Sequence, residues 1–301
     1  MKVVIAGGTG FVGHELIGQL VEAKHEVTVL TRDPSKASLV QQPVRHERWD
    51  GETVGPWLSE IDGADAVLNY VGESIGERWS AKRRILIRDS RVNGTRAIVE
   101  AIRRSRSRPG ILVSASAVGY YGPVEKGDVT ESWPRGEGFL ADVCGQWEQE
   151  AYNAESLGVR VVTTRTGVVL GSGGGALPRM LLPFKLLAGG PIGTGRQWFP
   201  WVHISDLAAI VLFVIKNPAL KGPVNVVSPE AVTMKQFCSE LGKVMHRPSW
   251  APVPGFVLQT LLGEMSSMIL TGQKVVAEKL LKAGFEFRFP KLGSALEDVL
   301  D

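Results

Sequence analysis

Gly7, Gly10 and Gly13 have the residue type and spacing that handle phosphate. They fit G-x-x-G-x-x-G, while Gly8, Gly10 and Gly13 fit G-x-G-x-x-G. Glycine lets the backbone approach a pyrophosphate with no Cβ in the way. A helix that starts at such a turn adds unpaired N–H groups and the positive end of its dipole. Further on, Thr31 and Arg32 end an apolar run. Arginine there suits a ribose 2′-phosphate, and an acidic residue suits a free 2′-hydroxyl. Arg32 therefore points to NADP(H) rather than NAD(H). Asp33 follows directly and keeps a second reading open, in which it takes the ribose and Arg32 is solvated. Asp50 is a carboxylate that could accept from an adenine amino group, or a loop carboxylate with no ligand. Ser116 closes another apolar run, ILVSAS, where a hydroxyl can bond a substrate oxygen or be satisfied by backbone. Tyr120 and Tyr121 lie in the loop beyond it.

These residues need elements that hold them at one edge. Residues 2–6 read as a buried strand, the run from Phe11 to Val21 as an amphipathic helix, and residues 26–30 as a second strand. That context gives the glycine motif its meaning. Asp33-Pro34 breaks the chain, and residues 44–49 resume an extended pattern. Residues 64–71 form the next buried strand, and its end, Asn69, Tyr70, Val71 and Gly72, belongs at the ligand-binding carboxyl edge. Ser80 can cap a helix that runs to about Arg106, with Ile85, Val92, Thr95, Val99 and Ile102 on one face. Its many arginines read as a solvated face, apart from Arg91, which could lie near the cofactor edge. Residues 111–116 and 159–165 are strands, with a helix over 138–157 between them. Repeated alternation of strand and helix means a doubly wound parallel sheet. From Gly171 the texture changes to glycine-rich loops with aromatics, which suit a substrate lid over about 171–200 or a packing connection. A helix follows from Ser205-Asp206, a strand at 224–227, a helix at 233–245, and short helices to the end. The division expected is 1–228 for the nucleotide-binding domain and 229–301 for a small, mainly helical C-terminal lobe.

The bulk numbers remove several classes of function. The chain has 301 residues, 44% hydrophobic and 22% charged, which is ordinary for a globular protein. A net charge of +3 is too small to argue for nucleic acid. Two cysteines, Cys144 and Cys238, leave no disulfide framework and suit a reducing compartment. The five histidines are scattered, and His14-Glu15 does not continue into H-E-x-x-H, so no metal site is expected. No apolar run reaches the length of a membrane span, and a core strand opens the chain rather than a signal peptide. A cytoplasmic protein with an unidentified small-molecule substrate is the expectation, and oligomeric state is left open.

The segments GGTGFVG, SASAVGYYG, RTGVVLG and WVHISDLA resemble extended short-chain dehydrogenases/reductases, the epimerase and dehydratase group. GFLADVCGQWE, GGPIGTGRQWFPWVH and GFEFRFPKLGSALEDVL resemble, more narrowly, the atypical epimerase-family proteins, and the likeness covers nearly the whole chain. It implies an NADP-binding Rossmann core, a small C-terminal domain of unknown function, and no established substrate. It implies cofactor contacts at Gly7, Thr9, Gly10, Phe11, Val12, Gly13, Thr31, Arg32, Asp50, Tyr70, Val71, Gly72 and Arg91. The departure from the wider family is specific. Its members use Tyr-x-x-x-Lys, a general acid or base tuned by a lysine that also holds the nicotinamide ribose. Here no tyrosine has a lysine four residues on. Leu140 stands at the tyrosine's position and Cys144 at the lysine's, while the upstream serine, Ser116, is kept. A thiol has an ordinary pKa of about 8.5 and cannot supply the lysine's charge. Ser116, Tyr121 and Cys144 are the catalytic candidates, with Tyr120, Asp142 and His203 as alternatives. The reading is an oxidoreductase-like NADPH binder with unusual acid–base groups. The alternative is a non-catalytic NADP(H)-binding sensor or interaction protein.

Overall fold

The computed structural model describes residues 1–34 and 44–301. A seven-stranded sheet organises it: β1 (Lys2–Ala6), β2 (Glu26–Thr31), β3 (Arg45–Arg48), β4 (Ala66–Asn69), β5 (Ile111–Ala117), β6 (Arg160–Thr166) and β7 (Gly222–Val226). The spatial order is β7-β6-β5-β4-β1-β2-β3, and every neighbouring pair is parallel. The order reverses at β1, between β4 and β2, which is the crevice where such sheets bind ligands. The fold is the Rossmann-like doubly wound sheet that the alternation of elements implies.

Side-chain alternation explains the apolar runs. Val3 and Ile5 point to one face, where Leu16, Ile17 and Leu20 of α1 (Phe11–Glu22) cover them. A later helix covers the same face through Leu207, Ile210, Val211 and Val214. Val4 and Ala6 point to the other face, under Ile98 and Ile102 of α2 (Ala81–Arg104). Strands covered on both faces lose the hydrophobic–polar alternation and read as continuous apolar runs.

Ser80 caps α2 by accepting from the Arg83 N–H at 3.2 Å. The expected apolar face of this helix needs one correction: Ile85 is 51% exposed, and the buried stripe begins at Ile87. The helix has 24 residues, about 36 Å at its regular rise, so its first turns overrun the short strands. The helix expected over 138–157 is α3 (Phe139–Tyr152), followed by a separate 3₁₀ turn, Glu155–Leu157.

Beyond residue 170, α4 (Leu177–Lys185), α5 (Ile204–Lys216), α6 (Met234–Val244) and α7 (Leu292–Leu300) complete the main helices. Leu170, Phe184 and Trp201 share one apolar cluster with Phe237, Leu241, Leu296 and Val299. The glycine-rich segment therefore packs against α6 and α7. Asp206, in the first turn of α5, holds the segment that leads into α7 by accepting from the Arg288 and Phe289 N–H groups at 2.8 and 2.9 Å.

Candidate functional site

The glycine turn joins β1 to α1 at the crevice. Gly7 has φ +85°, and a Cβ there would lie 2.5 Å from the Tyr70 carbonyl oxygen. A Cβ on Gly13 would lie 2.5 Å from both Gly7 O and Gly8 Cα, so this glycine lets α1 sit directly on the turn. A Cβ on Gly10 would meet only Gly7 O, at 3.4 Å, and otherwise opens outward. Gly7 and Gly13 thus serve close backbone packing, while Gly10 faces outward. Gly8 serves the interior instead: its Cβ would strike Val29 at 2.8 Å.

Gly10 is the N-cap of α1 and provides no side-chain cap, and the first turn holds no acidic residue. The helix start therefore keeps its dipole and N–H groups for an outside anion. Thr9 and Gly10 are exposed, and Phe11 and Val12 are half-buried. The ring of Phe11 is wrapped by the next loop: Cβ atoms on Gly171, Gly174 and Gly175 would lie 2.7 to 3.0 Å from it. Glycines thus bring this loop down beside the phosphate-type turn.

Arg32 follows β2, and its side chain is 76% exposed, 3.5 Å from Glu73 Oε1. Thr31 is buried, and its hydroxyl accepts from the Asp33 N–H at 3.3 Å. Asp50 is occupied by its own loop. Oδ1 accepts from the Glu52 and Thr53 N–H groups at 2.8 Å, and Oδ2 accepts from the Thr53 hydroxyl. Thr53's bonds hold the carboxyl below its usual pKa. This is a turn-forming carboxylate with little acceptor capacity left over.

Tyr70, Val71 and Gly72 lie at the end of β4. The Tyr70 hydroxyl is 3.3 Å from Thr164 Oγ1, and burial raises its pKa. Val71 packs into the apolar cluster beneath. Gly72 is exposed, with the Arg91 guanidinium carbon 2.9 Å from where its Cβ would be. Arg91 donates to the Glu73 and Ile87 carbonyls at 3.0 and 2.9 Å and lies 5.2 Å from the Trp147 ring centre. The cation is therefore held at the end of β4.

The catalytic candidates lie in a different setting. The Ser116 hydroxyl donates to Glu148 Oε1 at 2.6 Å and is buried. Arg165 grips both oxygens of Glu148, each at 2.8 Å, and both side chains are 4% exposed. Burial pulls the Arg165 pKa down, but the Glu148 bonds and charge outweigh it and raise it. Arg165 also donates to the Tyr121 hydroxyl at 3.1 Å and lies 3.5 Å over the Tyr120 ring. Tyr121 in turn donates to Asn225 Oδ1 at 2.6 Å, and burial pushes its pKa up to about 12. Cys144 is buried beside Ser116, and burial, reinforced by the Glu148 charge, pushes its thiol to about 11.

The structure thus brings Ser116 and Cys144 together but turns Ser116 inward. It also commits Tyr121 to an internal network. Strand alternation directs Ala117 away from that network. Ala117, Gly119, Tyr120 and Leu140 are half-buried at this edge, and of these four only Tyr120 carries a transferable proton. Asp142 lies apart, paired with Arg135 at 2.9 Å on the surface. His203 accepts from the Ser205 N–H at 3.2 Å as the N-cap of α5, and burial lowers its pKa despite Asp298. Among the described residues no cluster could hold a metal ion, and no helix is long and apolar enough to cross a membrane.

Glu148, Arg165 and Asn225 were not singled out from sequence. The available signal was charge in the wrong place. Glu148 lies on the stripe Ala141, Cys144, Ala151, and Arg165 lies inside the run VVTTRT. Two opposite charges in apolar patterns imply a buried pair.

Residues 3–227 match the NAD dependent epimerase/dehydratase family, and residues 253–299 match a domain of unknown function, DUF1731. The chloroplastic SDR39U1 homolog of Arabidopsis thaliana, an epimerase family protein, is 41% identical over 305 residues, covering 100% of this chain and 87% of its own length. The epimerase family protein YfhF of Bacillus subtilis is 40% identical over 301 residues, covering 100% and 98%. The crystal structure of human SDR39U1 with NADPH superposes with a TM-score of 0.88 at 34% identity, covering 99% of each chain.

Proposed function

The chain belongs to the NAD dependent epimerase/dehydratase family, and from that premise we propose that it binds NADP(H) and works as an oxidoreductase- or epimerase-like protein on a small substrate, without the family's tyrosine–lysine pair. The observation that carries the cofactor assignment is the uncapped start of α1 at Gly10, with its open space and no acidic first turn. The NADPH in the human relative supports it. The α1 N-terminus would hold the pyrophosphate, and Arg32 a ribose 2′-phosphate. Bound there, the nicotinamide supplies a hydride donor or acceptor.

What the chain's own groups contribute is orientation and exclusion of water. Ser116, Tyr121 and Cys144 each have their polar atom buried, with raised pKa values for the tyrosine and the thiol. None is placed to pass a proton outward near neutral pH. That observation favours a second reading, a cofactor-binding sensor or interaction protein with no turnover. Calorimetric titration with NADPH and NADH tests the cofactor claim, and equal affinities would overturn the NADP(H) preference. A screen for NADPH oxidation over carbonyl compounds then separates the two readings. Turnover supports the enzyme, and saturable binding with no turnover supports the sensor.

A further inference from the structure

Glu73 lies four residues beyond β4, and Arg32 one residue beyond β2. The sheet order puts these strands on either side of β1. A contact between the two residues therefore spans the mouth of the crevice above the glycine turn. Arg32 Nη1 is 3.5 Å from Glu73 Oε1, and Arg83 Nη1 is 3.7 Å from Glu73 Oε2.

The carboxylate is held there by its backbone. The Glu73 N–H donates to Ser90 Oγ, and its carbonyl accepts from Arg91 Nη1, both at 3.0 Å. Two anchors on α2 fix the Cα, so the side chain stands at the rim rather than sweeping through solvent. Arg32, by contrast, has a 76% exposed side chain and is free to change partner.

We propose that Glu73 is a specificity-determining residue that competes with the cofactor's 2′-phosphate for Arg32. This rests on the NADP(H) reading above. To engage a phosphate, Arg32 must leave Glu73, so the carboxylate reduces the share of the protein ready for NADPH. NADH needs nothing from Arg32 and escapes the competition. Glu73 thus weakens binding of the phosphorylated cofactor selectively. An exposed ion pair of this kind is worth up to about 1 kcal/mol, so the effect is at most about fivefold.

Calorimetry on four proteins tests this: the unmodified chain, Glu73→Gln, Arg32→Ala, and the double variant. Glu73 is at the surface, so Glu73→Gln should melt normally. It should bind NADPH about two- to fivefold more tightly and NADH unchanged. Adding it to Arg32→Ala should change nothing. Glu77→Gln, which removes a carboxylate 3.7 Å from Arg83, is the control for general charge and should leave NADPH affinity unaltered. Unchanged or weaker NADPH binding in Glu73→Gln overturns the proposal. So does an equal gain for both cofactors, or a full gain in the absence of Arg32. If the unmodified chain itself fails to prefer NADPH, the cofactor reading has failed rather than the role of Glu73.

Discussion

On the proposed reading, Arg32 is the side chain that decides between two cofactors. It follows β2, carries a permanent charge, and among the described residues its ion-pair partner is Glu73, 3.5 Å away. A phosphate would therefore gain a charge-assisted bond at little loss. Arg32→Ala should weaken NADPH binding about ten- to a hundredfold, the worth of one such contact, and leave NADH binding nearly untouched. Calorimetry with both cofactors reads this directly, and an equal loss for both would assign Arg32 to general electrostatics. Asp50 shows the opposite situation. Its type and position suggested adenine, but three short bonds within its own loop account for it. Residue type was legible in the sequence, whereas the claim of a neighbour on that residue was not.

On the proposed reading the β1–turn–α1 element holds the phosphates, and its glycines are not equivalent. Gly10→Val should abolish NADPH binding while the melting temperature stays close to that of the parent, because its Cβ would make only an ordinary contact with Gly7 O, at 3.4 Å. Gly13→Val should unfold or strongly destabilise the protein, since its Cβ would sit 2.5 Å from backbone atoms of the turn that cannot move aside. Melting curves with and without NADPH separate these outcomes. Retained affinity in a folded Gly10→Val would show that the phosphates bind elsewhere. The long helix α2 makes a similar contrast along its length. Arg91 reaches the end of β4 and holds the Glu73 carbonyl, whereas Arg103 pairs with Glu100 on the surface at 3.2 Å. Arg91→Ala should weaken NADPH binding several-fold, and Arg103→Ala should not. If both variants titrate alike, α2 contributes only a solvated basic face.

Across the whole molecule, a buried polar network joins the sheet to the segment around Val276. Ser116 bonds Glu148, Glu148 is paired with Arg165, and Arg165 reaches Tyr121, which bonds Asn225. Asn225 Nδ2 then donates to the Val276 carbonyl at 2.9 Å. Glu148→Gln leaves the Arg165 charge buried without its partner and should cost about 3–5 kcal/mol in denaturant unfolding. Glu148→Leu with Arg165→Met removes both charges and should cost less than the single change. A single-variant loss below that of ordinary surface substitutions would mean the pair is relaxed by water. This network also changes the meaning of the catalytic candidates. The hydroxyls of Ser116 and Tyr121 are spent within it.

The sequence alone determined the order of strands and helices, the doubly wound sheet, the glycine turn and the cation after β2. All of these follow from local pattern: apolar runs, helical periodicity, and glycine at a strand-to-helix junction. It also made the loss of the tyrosine–lysine pair plain, because that motif is a spacing of four within one helix. Only the tertiary structure separated the roles of the glycines, since these depend on what each missing Cβ would strike. The inward turn of Ser116 depends on Glu148, 32 residues away, and the saturation of Tyr121 depends on Asn225, 104 residues away. A hydroxyl's chemical role is set by which donor or acceptor faces it, and that is fixed by packing between distant elements rather than by neighbours along the chain.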